Sequence, residues 1–252
     1  MAKQLSKHLT ACDLYVSVQS AYRPNHSTEM ALLKVVNDLL LAVDSGDATV
    51  LSLLDKSAAF DTIDHVILLN RLRYGFGLSG SVFSWFESYL SARRQSVSFS
   101  DINSVAVLLL FGMPQGSVLG PVLFTLYNSP IHSITEKHAV SDHFYADDEQ
   151  IYTSFPLQPD HSGQRMAFTR ISNCVEETKG WMADNKIKFN DQKTDVLVIC
   201  KKASRRKLED LPLVIGYASI TPSASVRNLG VTIDCHLTMQ QQINTTCRNS
   251  FY

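Results

Sequence analysis

The sequence has little that would place it in a specialised class of proteins. Its 23 basic and 24 acidic residues leave a formal net charge of -1, so a nucleic-acid partner has to be argued from local patches. The two basic clusters, at 201–207 and at Arg93-Arg94, are typical of solvated loops. The longest apolar run, Val105 to Phe111, is too short to span a bilayer, and the polar N-terminus lacks a signal-peptide core. We therefore expect no membrane partner.

The pattern of cysteines that marks a disulfide or zinc framework is also missing. The chain has five cysteines, an odd number, and no two of them form a CxxC pair. This usage is typical of reduced thiols inside the cell rather than of a disulfide scaffold or a zinc module. We therefore expect an intracellular protein, and the sequence does not decide between nucleus and cytoplasm.

The most informative feature that is present is the acidic pair Asp147-Asp148. Apolar residues lead up to the pair, and a second apolar run extends from Ile151 to Phe155. This pattern predicts a tight β-hairpin with two carboxylates at its tip. A third carboxylate, Asp55, follows the apolar run 49–54, which is typical of a buried central strand. Carboxylates at two strand ends are ligands that Mg²⁺ prefers, and three of them can hold the two ions used for nucleotidyl transfer.

Helical and strand patterns alternate along the rest of the chain. Helices are predicted at 27–43, 82–90, 119–127, 165–185 and from Thr238 onward. Strands are predicted at 49–54, 95–99, 105–111, 196–200, 213–216 and 226–233. Asp61 or Asp64 is expected to cap a helix that carries Ile67, Leu68 and Leu72. Several connections are short enough for antiparallel pairing, so we predict an α+β fold, or a mixed α/β sheet, with antiparallel strand pairs and with helices on one face.

Several segments also form an ordered set of motifs. Three stand out: LDKSAAFDTIDH at 54–65, GMPQGSVLGP at 112–121 and FYADD at 144–148. The segment QSAYRPNHSTE lies before them at 19–29, and the segments KTDVL and NLGV lie after them at 193–197 and 228–231. Together they closely resemble the successive motifs of reverse transcriptases from non-LTR retrotransposons of the LINE-type, jockey-like variety. A lone Asp-Asp is usually a turn, whereas six ordered motifs are strong grounds for the resemblance.

The resemblance implies a fold, a reaction and partners. The fold would be a reverse-transcriptase palm at 48–237, with partial fingers at about 17–47 and the start of a thumb at 238–252. The reaction would be RNA-directed DNA synthesis, with an RNA template, a DNA primer and deoxynucleoside triphosphates as partners. The first fingers motif has no counterpart and the thumb is cut short, so we expect a truncated domain. Other segments of the retrotransposon protein are then further partners.

The resemblance also implies which residues act on the metal ions. Asp55 and Asp147 would bind both of two Mg²⁺ ions, for which Mn²⁺ is a possible substitute, and Asp148 would be a weaker ligand. Lys193 would donate a proton to the departing pyrophosphate or stabilise its charge. From the residues alone, the favoured interpretation of Asp55 is a helix cap, and Lys193 is interpreted as an exposed lysine in a turn.

Five further residues would contact the substrates by the same resemblance. Phe60 would pack under the sugar of the incoming nucleotide and exclude a 2′-hydroxyl by clash. Gln115 would contact that nucleotide, and Gly116 would let the backbone approach it. Arg23 would reach the triphosphate, and Tyr145 would lie beside the primer end. On sequence alone, Phe60 and Tyr145 are also typical core residues.

Two residues depart from the motifs. Lys56 stands where an aliphatic residue is usual, and its ammonium is expected to enter a buried layer at a cost if unpaired. Glu149 stands where a small hydroxyl is usual, and its charge is expected to affect the neighbouring carboxylates. Alternatives therefore stay open: a catalytically inactive remnant, a metal-dependent nuclease, or a module that only binds nucleic acid.

Overall fold

Two of the helices begin at residues whose side chains cap them. The computed structural model describes residues 1–57, 60–114, 116–190 and 193–251. Its helices are α1 (Ala2–Ala11), α2 (Thr28–Asp44), α3 (His65–Tyr74), α4 (Gly80–Leu90), α5 (Gly120–Asn128), α6 (Ile131–Lys137), α7 (Ser162–Asp184) and α8 (Gln240–Ser250), and a 3-10 helix covers Lys202–Lys207. Ser27 caps α2 by accepting a hydrogen bond from the Met30 N–H, and the Asp64 carboxylate caps α3. Of the two predicted caps for α3, Asp64 is therefore the one in use.

Strands form mostly where apolar runs were found. They are β1 (Ala48–Leu54), β2 (Lys56–Ser57), β3 (Arg94–Gln95), β4 (Ser98–Phe99), β5 (Ile102–Asn103), β6 (Val107–Leu108), β7 (Ser141–Tyr145), β8 (Asp148–Phe155), β9 (Lys188–Phe189), β10 (Asp195–Ile199), β11 (Leu213–Ile215), β12 (Ala218–Ile220), β13 (Ser225–Asn228) and β14 (Val231–Asp234). Four of them form an antiparallel sheet in the order β10-β1-β8-β7. Leu51 lies opposite Leu197 on one side and Tyr152 on the other. The apolar strand β1 is thus interior, as its continuous apolar run predicts.

The antiparallel sheet is covered on both faces. One face packs on α7, through a buried cluster that includes Val50, Ile151, Ile171, Val175 and Val196. The other face packs on α2 and on the β13-β14 hairpin, through a cluster that includes Val35, Leu39, Leu51, Val226 and Ile233. The prediction of helices on one face was therefore wrong, because successive strand residues alternate sides and both sides of β1 are apolar.

The chain divides into two units. One comprises Ser17–Lys56, Pro130–Trp181 and Phe189–Tyr252 and contains the antiparallel sheet; the other comprises Met1–Val16, Ser57–Ser129 and Met182–Lys188. In the second unit, the Arg71 guanidinium donates to the carbonyl of Tyr127 and, at 2.7 Å, to Oδ1 of Asn185. The Tyr127 hydroxyl in turn donates to the Asn185 carbonyl at 2.6 Å. This network ties α3, α5 and the segment after α7 together.

Two strand predictions need correction. The region 95–111 forms two short ladders, β3 with β6 and β4 with β5, instead of one long hairpin. The run 226–233 is a hairpin of two strands, because Leu229 and Gly230 turn the chain at φ 45° and 87°. Helices α1 and α6 were not predicted. In the part of the chain that the structure describes, no helix is both long enough and apolar enough to cross a bilayer.

Candidate active site

The acidic pair lies at a two-residue turn between β7 and β8. Tyr145 pairs with Asp148, which leaves Ala146 and Asp147 as the turn residues. Ala146 adopts φ 59°, a left-handed conformation that is uncommon outside glycine. Gln19 holds it there, since its side-chain oxygen accepts a hydrogen bond from the Ala146 N–H at 3.2 Å. We call the segment Tyr145–Asp148 the acidic turn.

A buried ion pair lies against the acidic turn. The Lys56 Nζ lies 3.0 Å from Oε2 of Glu149, and the two side chains are 1% and 0% exposed. The same Nζ donates to the Asp147 carbonyl at 3.2 Å. The Glu149 charge is therefore balanced by the Lys56 ammonium within the buried layer. Lys56 is therefore buried as expected, but it is paired.

Glu149 faces away from Asp148. Side chains alternate along β8, so Glu149 lies on the opposite face from Asp148 and Gln150. Its negative charge, after burial itself, helps raise the pKa of the Cys174 thiol on α7 to about 12. Burial likewise raises the pKa of Glu149, and the Lys56 charge opposes that rise. The charge acts within the α7-facing core.

Asp55 is fixed at the end of β1 by its neighbours. The antiparallel register sets Leu54 opposite Glu149, so Asp55 follows at the level of the acidic turn. The Asn190 side-chain amide donates to Oδ2 of Asp55 at 3.0 Å, and its backbone N–H donates to the Asp55 carbonyl at 3.1 Å. Lys193 Nζ lies 3.6 Å from the same Oδ2, with its side chain 70% exposed.

Asp55 and Asp148 line a common cavity of about 400 Å³, which we call the acidic recess. Its wall includes Lys193 and Arg227, and it also touches Gln150 and Asn228. The Asn228 amide donates to Oε1 of Gln150 at 2.9 Å, and both side chains are buried. The turn of the β13-β14 hairpin is thereby joined to the strand that begins at Asp148.

The electrostatics of the acidic recess favour a cation. Asp148 is exposed, yet its pKa is raised above the ordinary value, first by partial desolvation, then by the charges of Asp147 and Asp55, with Lys56 opposing. Burial and the Asp147 charge also raise the pKa of Tyr22. Carboxylates that repel one another in this way are stabilised by a positive ion.

A hard divalent cation fits this donor set, since carboxylate oxygens are its preferred ligands. Among the described residues, no group of three or more His, Cys, Asp or Glu side chains is gathered closely enough to enclose a metal. Mg²⁺ is commonly bound by one or two carboxylates plus water and phosphate oxygens. An open set of this kind is compatible with that mode.

Two of the predicted nucleotide-contacting residues, Phe60 and Gly116, lie in the second unit, and the structure shows their local contacts. The Phe60 ring is half-buried and stacks on Phe124, with centroids 4.3 Å apart and an interplanar angle of 22°. The Met113 N–H donates to the Phe60 carbonyl at 2.8 Å. Gly116 adopts φ 74°, and among the described residues no atom beyond its chain neighbours lies within 4 Å of where a Cβ would stand. Gln115 lies outside the described residues.

Arg23 and Tyr145 belong to the unit of the antiparallel sheet. The half-buried Arg23 guanidinium donates to the backbone carbonyls of Gln19 at 3.1 Å and Ser17 at 3.5 Å. It is therefore held against its own loop. Tyr145 is half-buried at the end of β7, and its charged form helps raise the pKa of Tyr22.

Sequence reasoning assigned no role to three residues that shape the site. Gln19 holds the acidic turn, Asn190 orients Asp55, and Asn228 joins Gln150. Gln19 and Asn228 lie within motifs that were recognised, which was a usable signal. Asn190 lies three residues before Lys193, and no pattern distinguishes it from an ordinary turn residue.

Comparison with known proteins places these motifs in a family. Residues 1–233 match the family described as reverse transcriptase (RNA-dependent DNA polymerase). The chain is 28% identical over 229 residues to the probable RNA-directed DNA polymerase from transposon X-element of Drosophila melanogaster, covering 89% of this chain and 24% of that protein. It is 27% identical over 249 residues to the RNA-directed DNA polymerase from mobile element jockey of the same species, covering 95% and 26%. The chain thus spans about a quarter of the length of these relatives.

Solved structures share the fold. Telomerase from Candida tropicalis in complex with a fragment of telomeric RNA matches with a TM-score of 0.65 at 13% identity, covering 95% of this chain and 36% of that one. Apo telomerase of the same species, truncated from its C-terminal domain, matches with a TM-score of 0.63 at 14% identity, covering 95% and 43%. At such identities the likeness concerns the fold alone. It confirms the predicted α+β class and the palm-type antiparallel sheet packed on helices.

Proposed function

Because the chain belongs to the reverse transcriptase family, we propose that it is the RNA-directed DNA polymerase domain of a non-LTR retrotransposon. It adds deoxynucleotides to a primer 3′-hydroxyl under the direction of an RNA template. The acidic recess carries this proposal, because it gathers Asp55, Asp148 and Lys193 around one open cavity beside the acidic turn. Carboxylates and a cation in one open cavity suit the transfer of a charged nucleotidyl group.

Asp55, Asp147 and Asp148 are the proposed ligands of two Mg²⁺ ions, with Mn²⁺ as a possible substitute. Bound there, the ions would make the primer hydroxyl a better nucleophile and neutralise the triphosphate and its leaving group. The chain itself supplies fixed oxygens: Asn190 orients the Asp55 carboxylate, and Gln19 and Lys56 hold the backbone of the acidic turn. Mutual repulsion among Asp55, Asp147 and Asp148 supports a site that is completed by cations.

Lys193 is the proposed partner of the departing pyrophosphate. Its ammonium is 3.6 Å from the Asp55 carboxylate, and its side chain is mostly exposed, so it is free to reorient toward a ligand in the recess. It stabilises negative charge that grows on the leaving group, or donates a proton to it.

Nucleotide selection is assigned to the second unit. Phe60 excludes a 2′-hydroxyl by clash, and stacking on Phe124 supports this role because a packed ring cannot easily move aside. Gly116 offers open backbone to the nucleotide, and Gln115 contacts it. Arg23 contacts the triphosphate after leaving its loop carbonyls, and Tyr145 lies beside the primer end.

The proposed partners are an RNA template, a DNA primer and deoxynucleoside triphosphates. Residues of about 17–47 serve as partial fingers, 48–237 as the palm with inserted elements, and 238–252 as the start of a thumb. Other segments of the retrotransposon protein are proposed to complete the grip on the primer and template.

Template-directed primer extension tests the proposal. Purified, folded chain is given poly(rA), an oligo(dT) primer, dTTP and either Mg²⁺ or Mn²⁺, beside Asp147→Ala. Arg165→Ala, which removes an exposed ion pair with Glu209, serves as the matched surface control. We expect extension by the wild type and by Arg165→Ala, and none by Asp147→Ala. Equal background signal in all three would contradict the proposal and favour a catalytically inactive remnant.

A further inference from the structure

The buried pair of Lys56 and Glu149 touches the acidic turn through the Lys56 ammonium. We propose that these two residues are a positioning pair, which holds the backbone of Asp147 in place and thereby the carboxylates on either side. This inference concerns the proposed polymerase site, and the role that it gives the carboxylates rests on the proposed function. The positioning itself is a property of the fold and is measurable without metal.

Lys56 connects the two chain segments that carry the carboxylates. Its backbone directly follows Asp55, and its Nζ donates to the Asp147 carbonyl at 3.2 Å. One side chain therefore spans from the end of β1 to the acidic turn. A shift of the turn relative to β1 stretches this hydrogen bond, so the contact restrains the distance between the two segments.

Glu149 fixes the position of the Lys56 ammonium. Both side chains are almost fully buried, and their charged atoms are 3.0 Å apart. A buried ammonium without its carboxylate is costly, and so is the reverse. Because Glu149 belongs to β8, whose ladder with β1 includes the pair Leu54 and Glu149, the carboxylate is itself held by the sheet. The ammonium is thus held by the sheet and the turn together.

The acidic turn needs such restraint because its backbone is strained. Ala146 has a φ of 59°, which costs more for alanine than for glycine. Gln19 restrains the turn through the Ala146 N–H, and Lys56 restrains it through the next carbonyl. Both residue types at 56 and 149 depart from those usual in the motifs, so the pair is a feature of this chain and its two departures compensate each other.

Four variants separate positioning from simple filling of the core. Lys56→Met and Glu149→Leu each remove one charge, and the double variant removes both while keeping apolar volume. Val175→Ala, on α7 in the same core and fully buried, is the control for lost stability that leaves both charges of the pair in place. Amide hydrogen exchange of the acidic turn is measured on the metal-free chains, and Mn²⁺ binding is measured by electron paramagnetic resonance.

If the pair positions the turn, the double variant should recover its stability but not the protection of the acidic-turn amides from exchange. The double variant should regain most of the unfolding resistance lost by either single variant, because no buried charge is left alone. It should still exchange the amides of the acidic turn about five- to tenfold faster than wild type, the effect of losing one hydrogen bond. Mn²⁺ affinity should fall by a similar factor, and Val175→Ala should show neither change beyond its global destabilisation.

Wild-type exchange at the acidic turn in the double variant would overturn the inference, because the pair would then only fill the core. If Lys56→Met alone does not fold, the double variant decides the matter. Failure of the proposed function looks different: wild type and Asp147→Ala would bind Mn²⁺ equally. Exchange at the turn would still decide whether the pair positions it.

Discussion

A buried histidine makes the stability of the sheet unit depend on pH. His143 on β7 is 5% exposed, and its Nε2 lies 2.9 Å from the Ser20 hydroxyl oxygen. Burial first, and then the positive charge of Lys34, lower the pKa of this imidazole to about 4. The negative charge of Asp38, which like Lys34 lies on α2, raises the pKa, and the charge of His26 lowers it further.

The sign of the effect follows from proton binding. The unfolded chain protonates the imidazole near pH 6.5, whereas the folded chain does so only near pH 4. Between these values the unfolded state binds more protons, so the free energy of unfolding falls as the pH falls. The contribution of His143 amounts to a loss of about 2 kcal/mol between pH 7 and pH 5, and about 3 kcal/mol below pH 4.

Urea denaturation of the wild type and of His143→Gln from pH 7.5 to pH 4.5 measures this loss. Glutamine keeps a polar partner for Ser20 but does not titrate, so its stability should fall by about 2 kcal/mol less between pH 7 and pH 5. His161→Gln, at a half-buried histidine near the start of α7, controls for the substitution itself. Parallel curves of stability against pH for wild type and His143→Gln would contradict this expectation, because the buried imidazole would then contribute no proton linkage.

Two further substitutions give separate expectations. Lys193→Ala should lower primer extension by at least about tenfold while Lys193→Arg keeps most of it, because a cation in the recess stabilises the leaving group. Its unfolding free energy should change by less than about 0.5 kcal/mol, since the side chain is 70% exposed; unchanged extension would remove Lys193 from the mechanism. Arg71→Met should destabilise the chain by about 2–3 kcal/mol in chemical denaturation, because it removes hydrogen bonds to Tyr127 and Asn185, and a loss under about 0.5 kcal/mol would contradict that network.

Local patterns in the sequence were enough to predict the scaffold of the site. The apolar run before Asp55 predicted an interior strand, and the runs around Asp147-Asp148 predicted the hairpin. Periodicity predicted α2 with Ser27 as its cap. These predictions succeeded because strand and helix patterns act over a few residues and agree here with burial.

Long-range pairing was beyond the reach of those patterns. Lys56 and Glu149 were each recognised as unusual, but their contact joins residues far apart in sequence, and only the fold brings them together. The same holds for Asn190 and Asp55. No periodicity encodes which buried charge meets which, since that depends on the register of strands that pair through tertiary structure.

Turn chemistry explains two of the strand errors. Gly230 in the run 226–233 was a signal for a turn, and the structure places φ 87° there. In the region 95–111, the turn lies at Ser100 and Asp101, between β4 and β5. The ladders beside it are nevertheless short, and the strand residues from Arg94 to Leu108 are exposed, so little burial favours longer pairing there.

The balance of products formed at the acidic recess shows whether nucleotidyl transfer takes place there. With poly(rA), oligo(dT) and labelled dTTP, each dTMP joined to the primer 3′-oxygen must release one pyrophosphate, and both products are quantified for wild type and Asp55→Asn. We expect a one-to-one ratio that requires template, primer and divalent metal, and that disappears in Asp55→Asn. Release of phosphate without primer growth, or metal-dependent shortening of the primer, would contradict it and point to a hydrolase instead.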